Sequence, residues 1–423
     1  MDKTLLKKAA FQSLALMIAV ITLSYALKYY QMVTVSANNS LHEEEMMISD
    51  ISGDTDNKID VPVEQAGTNV NPIVVTDISV KDLNSLITFI DQGVLQQLSS
   101  DYIAIQKPLQ KGTSITLEDL YVSQSIRLKF SGLSQEDISA NSIFRVRNNE
   151  LYKGEPKYTE EKTIEEEDGE PKEVINRDYG KDISHGITIT TETSKEKGQL
   201  TEVLINLDTV YAYTIYEDKN FYYIDLKKPS EVYDKILVID AGHGGKDAGA
   251  LSKGSKYYEK DVNLDILLNL QKLLEKDDIK VYYTRNKDET VFLNPRVNLA
   301  NAVDCDYFIS IHCNANAVSS PNGSEVLYYD KESKGIKNYD LAAIFSEEIG
   351  KLLPLRQRGL IKKHSEDIYI MDKALVPTIL IEVGYMTNNT DMNFLSKAEN
   401  REVVAEGIYN AIMRAYSEVP PTE

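Results

Sequence analysis

The segment Ile236-Leu237-Val238-Ile239-Asp240, followed by Ala241-Gly242-His243-Gly244-Gly245-Lys246-Asp247, decides how the C-terminal half is read. Residues 236–240 form a short apolar strand, and 241–254 a glycine-rich loop. Beyond the loop, residues 260–276 carry a wide apolar helical face, with Leu264, Leu267, Leu268 and Leu274 flanked by Ile266, Leu270 and Leu273. A strand follows at 279–284, and Asn294-Pro295 reads as a cap and first-turn proline opening a helix that runs to residue 302. Strands are expected at 306–311, 325–329, 368–371 and 378–381, and helices at 336–352 and 398–416. Strand–helix alternation of this kind predicts an α/β domain over 235–418, three layers (α/β/α) around a mostly parallel sheet. Ligands of such sheets gather at the carboxyl ends of the strands.

That rule selects four residues. His243 lies just past the first strand, His312 at the end of the third, and Glu382 at the end of the last. Glu259 opens the helix that follows the loop. Two His and one Glu make a catalytic zinc set, three protein ligands with the fourth position left for water, and a further carboxylate, Glu382, is placed to act as base. The competing reading is that each histidine is structural. Gly242, Gly244 and Gly245 leave room for a ligand near the backbone, but no Gly-Lys-Ser/Thr closes a phosphate loop. Asp247 stands where a dinucleotide fingerprint needs its last glycine, and neither His-Glu-x-x-His nor Gly-x-Ser-x-Gly occurs. Asp240 and Asp247 either orient His243 or brace its loop. His364 contacts substrate or is a surface residue; Asn314 and Asn388 bind substrate or cap helices; Arg285 and Arg296 read as structural ion-pair residues. Cys305 and Cys313 flank the His312 strand. Eight steps at about 3.3 Å set them about 26 Å apart, too far for a disulfide, which needs roughly 7 Å or less, so both are expected as free buried thiols.

The chain has 423 residues, 42% of them hydrophobic, which suggests two domains and excludes disorder throughout. Its net charge of -20 argues against nucleic acid as a partner, which would need a basic face for its phosphates. The acidity is uneven: residues 235–423 hold 23 basic and 28 acidic side chains, and residues 1–234 hold 23 and 38. Two cysteines exclude a disulfide scaffold. Lys3, Lys7 and Lys8, in a basic segment 1–8, precede an apolar run at 9–27. At about 1.5 Å per residue that run spans roughly 28 Å, the thickness of a bilayer core, with a cytoplasmic N-terminus. It reads as a transmembrane anchor; with Val35-Ser36-Ala37 as a cleavage site, the alternative is a signal sequence and a secreted product.

Residues 28–72 form an acidic polar linker, and residues 229–234 a second one. Between them, 73–228 is a β-rich, sandwich-like module: period-2 alternation appears at 126–130, 187–191, 203–207, 210–216 and 221–226. The charge run at 155–173, with Glu160, Glu161, Glu165, Glu166, Glu167 and Asp168, reads as a solvated hairpin tip or a disordered insertion. His42 and His185 are isolated and read as surface or structural. Such a module would bind wall polymer or a protein partner.

Four blocks carry a resemblance. Val238-Ile239-Asp240-Ala241-Gly242-His243-Gly244-Gly245-Lys246-Asp247, Glu259-Lys260-Asp261-Val262-Asn263-Leu264, Ser310-Ile311-His312-Cys313-Asn314-Ala315 and Ile381-Glu382-Val383-Gly384-Tyr385-Met386-Thr387-Asn388 resemble the signature blocks of the zinc-dependent N-acetylmuramoyl-L-alanine amidases, in the same order. Thr284-Arg285, Arg296 and Ala300-Asn301 resemble the intervening blocks. The resemblance covers residues 235–416 and departs from the family at Tyr385, where Phe is frequent, and at Cys313. It implies one zinc held by His243, Glu259 and His312, with Glu382 as catalytic carboxylate. The implied substrate is peptidoglycan, cut between the lactyl group of muramic acid and the L-alanine of the stem peptide. It also implies a place in the bacterial cell envelope. Some members carry a helical plug between the second His and the Glu; here the interval 313–381 is expected to hold core elements only. The competing functions are a wall-binding module on the same fold, and a zinc peptidase acting within the stem peptide.

Overall fold

The computed structural model describes residues 64–65, 79–108, 115–133, 137–167, 170–194, 198–364 and 367–422. The expected anchor at 9–27, the basic segment 1–8, Val35-Ser36-Ala37, His42 and most of the 28–72 linker lie outside the described residues. Among the described residues no helix is long and apolar enough to cross a membrane.

The β-rich region is built from two sheets. The larger runs, in spatial order, Glu64–Gln65, Ala212–Glu217, Phe221–Lys227, Asp101–Gln106, Ile143–Arg147 and Glu150–Lys153; the smaller runs Ile115–Leu120, Ser125–Ser131, Gly198–Leu207 and Ser184–Ser194. Alternation decides the packing. Ile103, Ile105, Ile143 and Ile224 of the first sheet meet Leu117, Ile126, Leu128, Phe130, Val203 and Ile205 of the second in one apolar core. The alternate residues Tyr102, Ala104, Phe144, Val146 and Phe221 face the other way and are covered by Leu86 and Val94 from two short helical turns and by Ile90 between them. The acidic run falls in a hairpin, one of its two expected readings: Thr159–Glu167 and Glu170–Asp178 pair as two antiparallel strands, and 168–169 between them lie outside the described residues. Their register sets Glu160 opposite Arg177, whose side chain lies 3.3 Å from that carboxylate.

The C-terminal half holds one six-stranded mixed sheet. Its strands are β1 (Ile236–Ala241), β2 (Lys280–Tyr283), β3 (Tyr307–Asn314), β4 (Ser324–Tyr329), β5 (Gln357–Lys363) and β6 (Thr378–Tyr385), in spatial order β2-β1-β3-β6-β4-β5. The first four in that order are parallel; β4 runs antiparallel to β6, and β5 parallel to β4. The starts of β4 and β5 therefore lie at the edge where β1, β3 and β6 end. Six helices accompany the sheet: α1 (Glu259–Leu274), α2 (Leu293–Ala302), α3 (Asn338–Leu352), α4 (Tyr369–Lys373), α5 (Asn389–Leu395) and α6 (Ala398–Glu418). Leu237, Ile239, Ile309, Ile311, Ile379 and Ile381 pack with α1, α3 and α6. Val238, Phe308, Leu327 and Leu380 pack with α2 and α4 on the opposite face. Among the described residues, both helices in the 313–381 interval are thus committed to sheet-packed cores.

Three local expectations are corrected. The apolar run at 368–371 is not a strand but the N-cap and first turn of α4, because so short a run has no period that separates the two. β5 was not expected: Gln357-Arg358 and Lys362-Lys363 make it polar, as suits a sheet edge. Asn294 is not a cap: α2 starts at Leu293 after Phe292, and Pro295 sits inside the first turn, where N–H groups lack partners in any case.

The β-rich region and the mixed sheet share side chains. Val210, Tyr121 and Val122 join Val238, Tyr282, Val297 and Val303 in one cluster, and Tyr233 packs there too. The Tyr121 and Tyr282 rings meet edge to face at 5.1 Å, and Tyr283 N donates to the Tyr121 hydroxyl at 3.3 Å. Asp119 and Lys280 face each other electrostatically across this junction, among Tyr213, Tyr233 and Tyr282. Burial pushes the Asp119 carboxyl up to about 7, against the pull of Lys280. The folded chain therefore holds this proton more tightly than the unfolded chain, so stability falls as pH rises from 4 through 7. Between pH 5 and 7 the expected loss is on the order of 2 kcal/mol. Melting curves across that window should show the loss, and Asp119→Asn should flatten it; an equal slope in the variant would refute the assignment.

Candidate active site

The loop after β1 carries His243 in the left-handed region, at φ 63°, which turns its ring back over the sheet edge. Close approach explains two of the glycines. A Cβ on Gly242 would stand 2.2 Å from the His312 ring, and one on Gly249 would meet the His243 ring at 2.6 Å and the Glu259 carboxylate at 2.7 Å. Any side chain at either position would push the cluster apart.

Two arginines hold that loop from beneath. Arg285 donates through Nε to Ala241 O at 2.8 Å and through Nη2 to Gly242 O and Lys260 O, both at 2.9 Å. Arg296 donates to Ala241 O and His243 O, each at 2.8 Å, and to Asp240 at 2.5 Å. Asp240 is buried and also accepts from Thr284 Oγ1 at 2.6 Å and Ser310 Oγ at 2.5 Å. Burial opposes its charge, but Arg296 and these hydroxyls hold its carboxyl down at about 2. Asp240 thus braces the loop through Arg296. Asp247 does the orienting: its Oδ2 lies 2.7 Å from His243 Nδ1, which turns Nε2 toward Glu259.

Donor atoms of His243, Glu259 and His312 lie within 4.8 Å of one another. His243 Nε2 is 3.2 Å from Glu259 Oε2, and His312 Nδ1 is 2.9 Å from Glu259 Oε1. The buried Glu259 carboxylate is fixed by Ala250 N on one oxygen at 2.8 Å and by Cys313 N on the other at 3.0 Å. Burial alone would raise Glu259, but hydrogen bonds and charge from the two histidines hold it below the usual carboxylate range. The same contacts, with Asp247, outweigh burial at His243 and raise it to about 9.

Register brings Glu382 alongside. It is the Cα partner of His312 across β3 and β6, on the same face, and its Oε2 is covered without a hydrogen-bond partner. Burial, with the charges of Glu259 and Glu325, holds its carboxyl well above the usual range. The four residues read from the sequence therefore converge on one edge.

The remaining candidates separate. Asn314 Nδ2 donates to Glu325 Oε1 at 2.8 Å, so Asn314 is tied into the strand edge rather than capping a helix. Asn388 caps α5, accepting from Thr390 N and Asp391 N. His364 is exposed past the end of β5; its own N–H donates to Asp367, and it is not a member of the donor cluster. His185 stacks on Tyr179 at 4.4 Å. Cys305 and Cys313 are free and buried, as expected. The sequence reading missed Glu325 and Arg358. Both lie at strand starts, and only the reversal of β4 and β5 turns those starts toward the site.

The model for the family described as N-acetylmuramoyl-L-alanine amidase matches residues 237–414. N-acetylmuramoyl-L-alanine amidase LytC of Bacillus subtilis is 34% identical over 191 residues, 45% of this chain and 37% of that protein. The germination-specific N-acetylmuramoyl-L-alanine amidase of the same organism is 31% identical over 198 residues, 44% of this chain and 81% of that protein. A solved N-acetylmuramoyl-L-alanine amidase from Clostridium difficile is 32% identical, with a TM-score of 0.41, covering 44% of this chain and 98% of that one.

Proposed function

The chain belongs to the N-acetylmuramoyl-L-alanine amidase family of peptidoglycan hydrolases, and from that premise we propose that His243, Glu259 and His312 form its zinc site and Glu382 its acid–base residue. The donor set carries this reading: two imidazole nitrogens and a carboxylate oxygen within 4.8 Å, beside a covered Glu382 oxygen with no partner of its own. That composition fits a catalytic zinc site, three protein ligands and one open position. When bound, zinc supplies a Lewis acid for the scissile carbonyl and lowers the pKa of water.

The protein's own residues do the rest. Asp247 holds the His243 tautomer through Nδ1, leaving Nε2 for the metal. Glu382 takes the proton of the attacking water and returns it to the departing L-alanine amine. Its covered oxygen keeps bulk water from competing for that proton. The substrate is the amide between the muramic acid lactyl group and the stem peptide, a reaction at the cell wall. The 9–27 run supports a membrane tether for the enzyme, and the β-rich region supports docking to wall polymer or a protein partner.

Stripping the metal with a chelator should lower release of intact stem peptide by at least about 10²-fold, and zinc should restore it. Mass spectrometry of digested muropeptides reads both rate and bond: a free L-alanine amine on an intact stem supports the proposal. Cuts inside the peptide, or activity indifferent to the chelator, would overturn it.

A further inference from the structure

A row of paired residues crosses the sheet edge beside Glu382. His312 opposes Glu382, Glu382 opposes Glu325, and Glu325 opposes Gly359, next to Arg358. Glu325 is buried, and both its oxygens are engaged: Oε1 accepts from Asn314 Nδ2 at 2.8 Å, and Oε2 accepts from Arg358 Nε. The Arg358 guanidinium also lies over the Tyr385 ring, 5.4 Å from its centroid. Nε is thus bound and one face is covered, while the side chain is still 30% exposed. Among the described residues the two Nη atoms have no hydrogen-bond partner. A guanidinium held in one orientation with its terminal fork free is built for a planar carboxylate.

We propose that Arg358, oriented by Glu325 and Tyr385, binds a free carboxylate on the second residue of the stem peptide and makes the enzyme selective for substrates that carry it. This rests on the amidase reading above. The spacing is suitable. Two strand separations put the Arg358 backbone about 10 Å from Glu382, and two extended residues carry a carboxylate roughly 7 Å from the bond being cut. The arginine side chain spans the remainder. Lys363, at the far end of β5, is a lysine whose charge acts on Glu382, so it is the rival.

The test uses the full chain, zinc-loaded, and two muramoyl peptides that differ only in carboxylate or carboxamide on the second residue. The wild type should favour the carboxylate in kcat/KM by about 10–100-fold, as a KM effect. Arg358→Gln should bring the ratio near one, and Arg358→Lys should leave an intermediate ratio, since it keeps a charge beside Glu325 but loses the fork. Titration of the same two peptides into Glu382→Gln, with and without Arg358→Gln, reads the preference in Kd without turnover. A failure of the amidase reading would then appear as no product while the Kd preference persists. Equal wild-type affinity for the two peptides, equal losses on both in Arg358→Gln, or loss of the preference in Lys363→Gln instead would overturn the proposal.

Discussion

Glu382→Gln lowers kcat by about 10²–10⁴-fold, with KM and bound zinc nearly unchanged. The amide keeps the shape of the carboxyl but can neither accept the water's proton nor hand it to the amine. Zinc content should hold because Glu382 is outside the donor cluster of His243, Glu259 and His312. The fold should hold as well: Glu382 Oε2 makes no hydrogen bond, so replacing that oxygen with an amide nitrogen breaks none there. Elemental analysis of the purified variant and single-turnover assays on muropeptides separate the two effects. A variant that keeps most of its kcat would remove Glu382 from the chemistry; one that loses zinc as well would make it part of the metal site.

The second large effect is on stability. Arg296→Gln breaks a buried ion pair with Asp240, removes the Arg296 bond to His243 O, and leaves Ala241 O with Arg285 alone. Breaking one partner of such a pair costs about 3–5 kcal/mol, because the other charge stays buried and unmatched. In a chain of 423 residues the melting temperature should fall on the order of 5 °C. Arg296→Lys should not restore it, since one ammonium cannot reach a carboxylate and two carbonyls in a plane. Zinc affinity should weaken in parallel, since the same guanidinium fixes the backbone that carries His243. Calorimetry with and without zinc checks both. Unchanged zinc affinity in a destabilised variant would confine Arg296 to the fold.

The proposed catalytic set was legible because each member ends or opens an element. His243, His312 and Glu382 follow apolar strands, Glu259 starts a strongly amphipathic helix, and parallel strands send their ends to one edge. What the sequence hid was direction and reach. Nothing in Glu325 or Arg358 announces that β4 and β5 run backwards, yet that reversal puts Glu325 opposite Glu382 and Arg358 one strand beyond it. The arginines at 285 and 296 read as ion-pair residues, which holds for Arg296; that both clamp carbonyls of the His243 loop is a tertiary fact with no local period. β5 escaped because an edge strand needs no continuous apolar run. The paired strands of the acidic hairpin escaped because its run of charges carries no apolar alternation of period two.

The covered thiols have a consequence for where this chemistry takes place. Peptidoglycan lies beyond the reducing cytosol, in a space where exposed cysteines meet oxidants and one another's disulfides. Cys305 and Cys313 are both sealed in apolar cores and unpaired. Oxidation and exchange require access to the sulfur. The catalytic half therefore needs no oxidase to complete its fold and no reductant to preserve it, and its working life in that compartment is set by how rarely it unfolds.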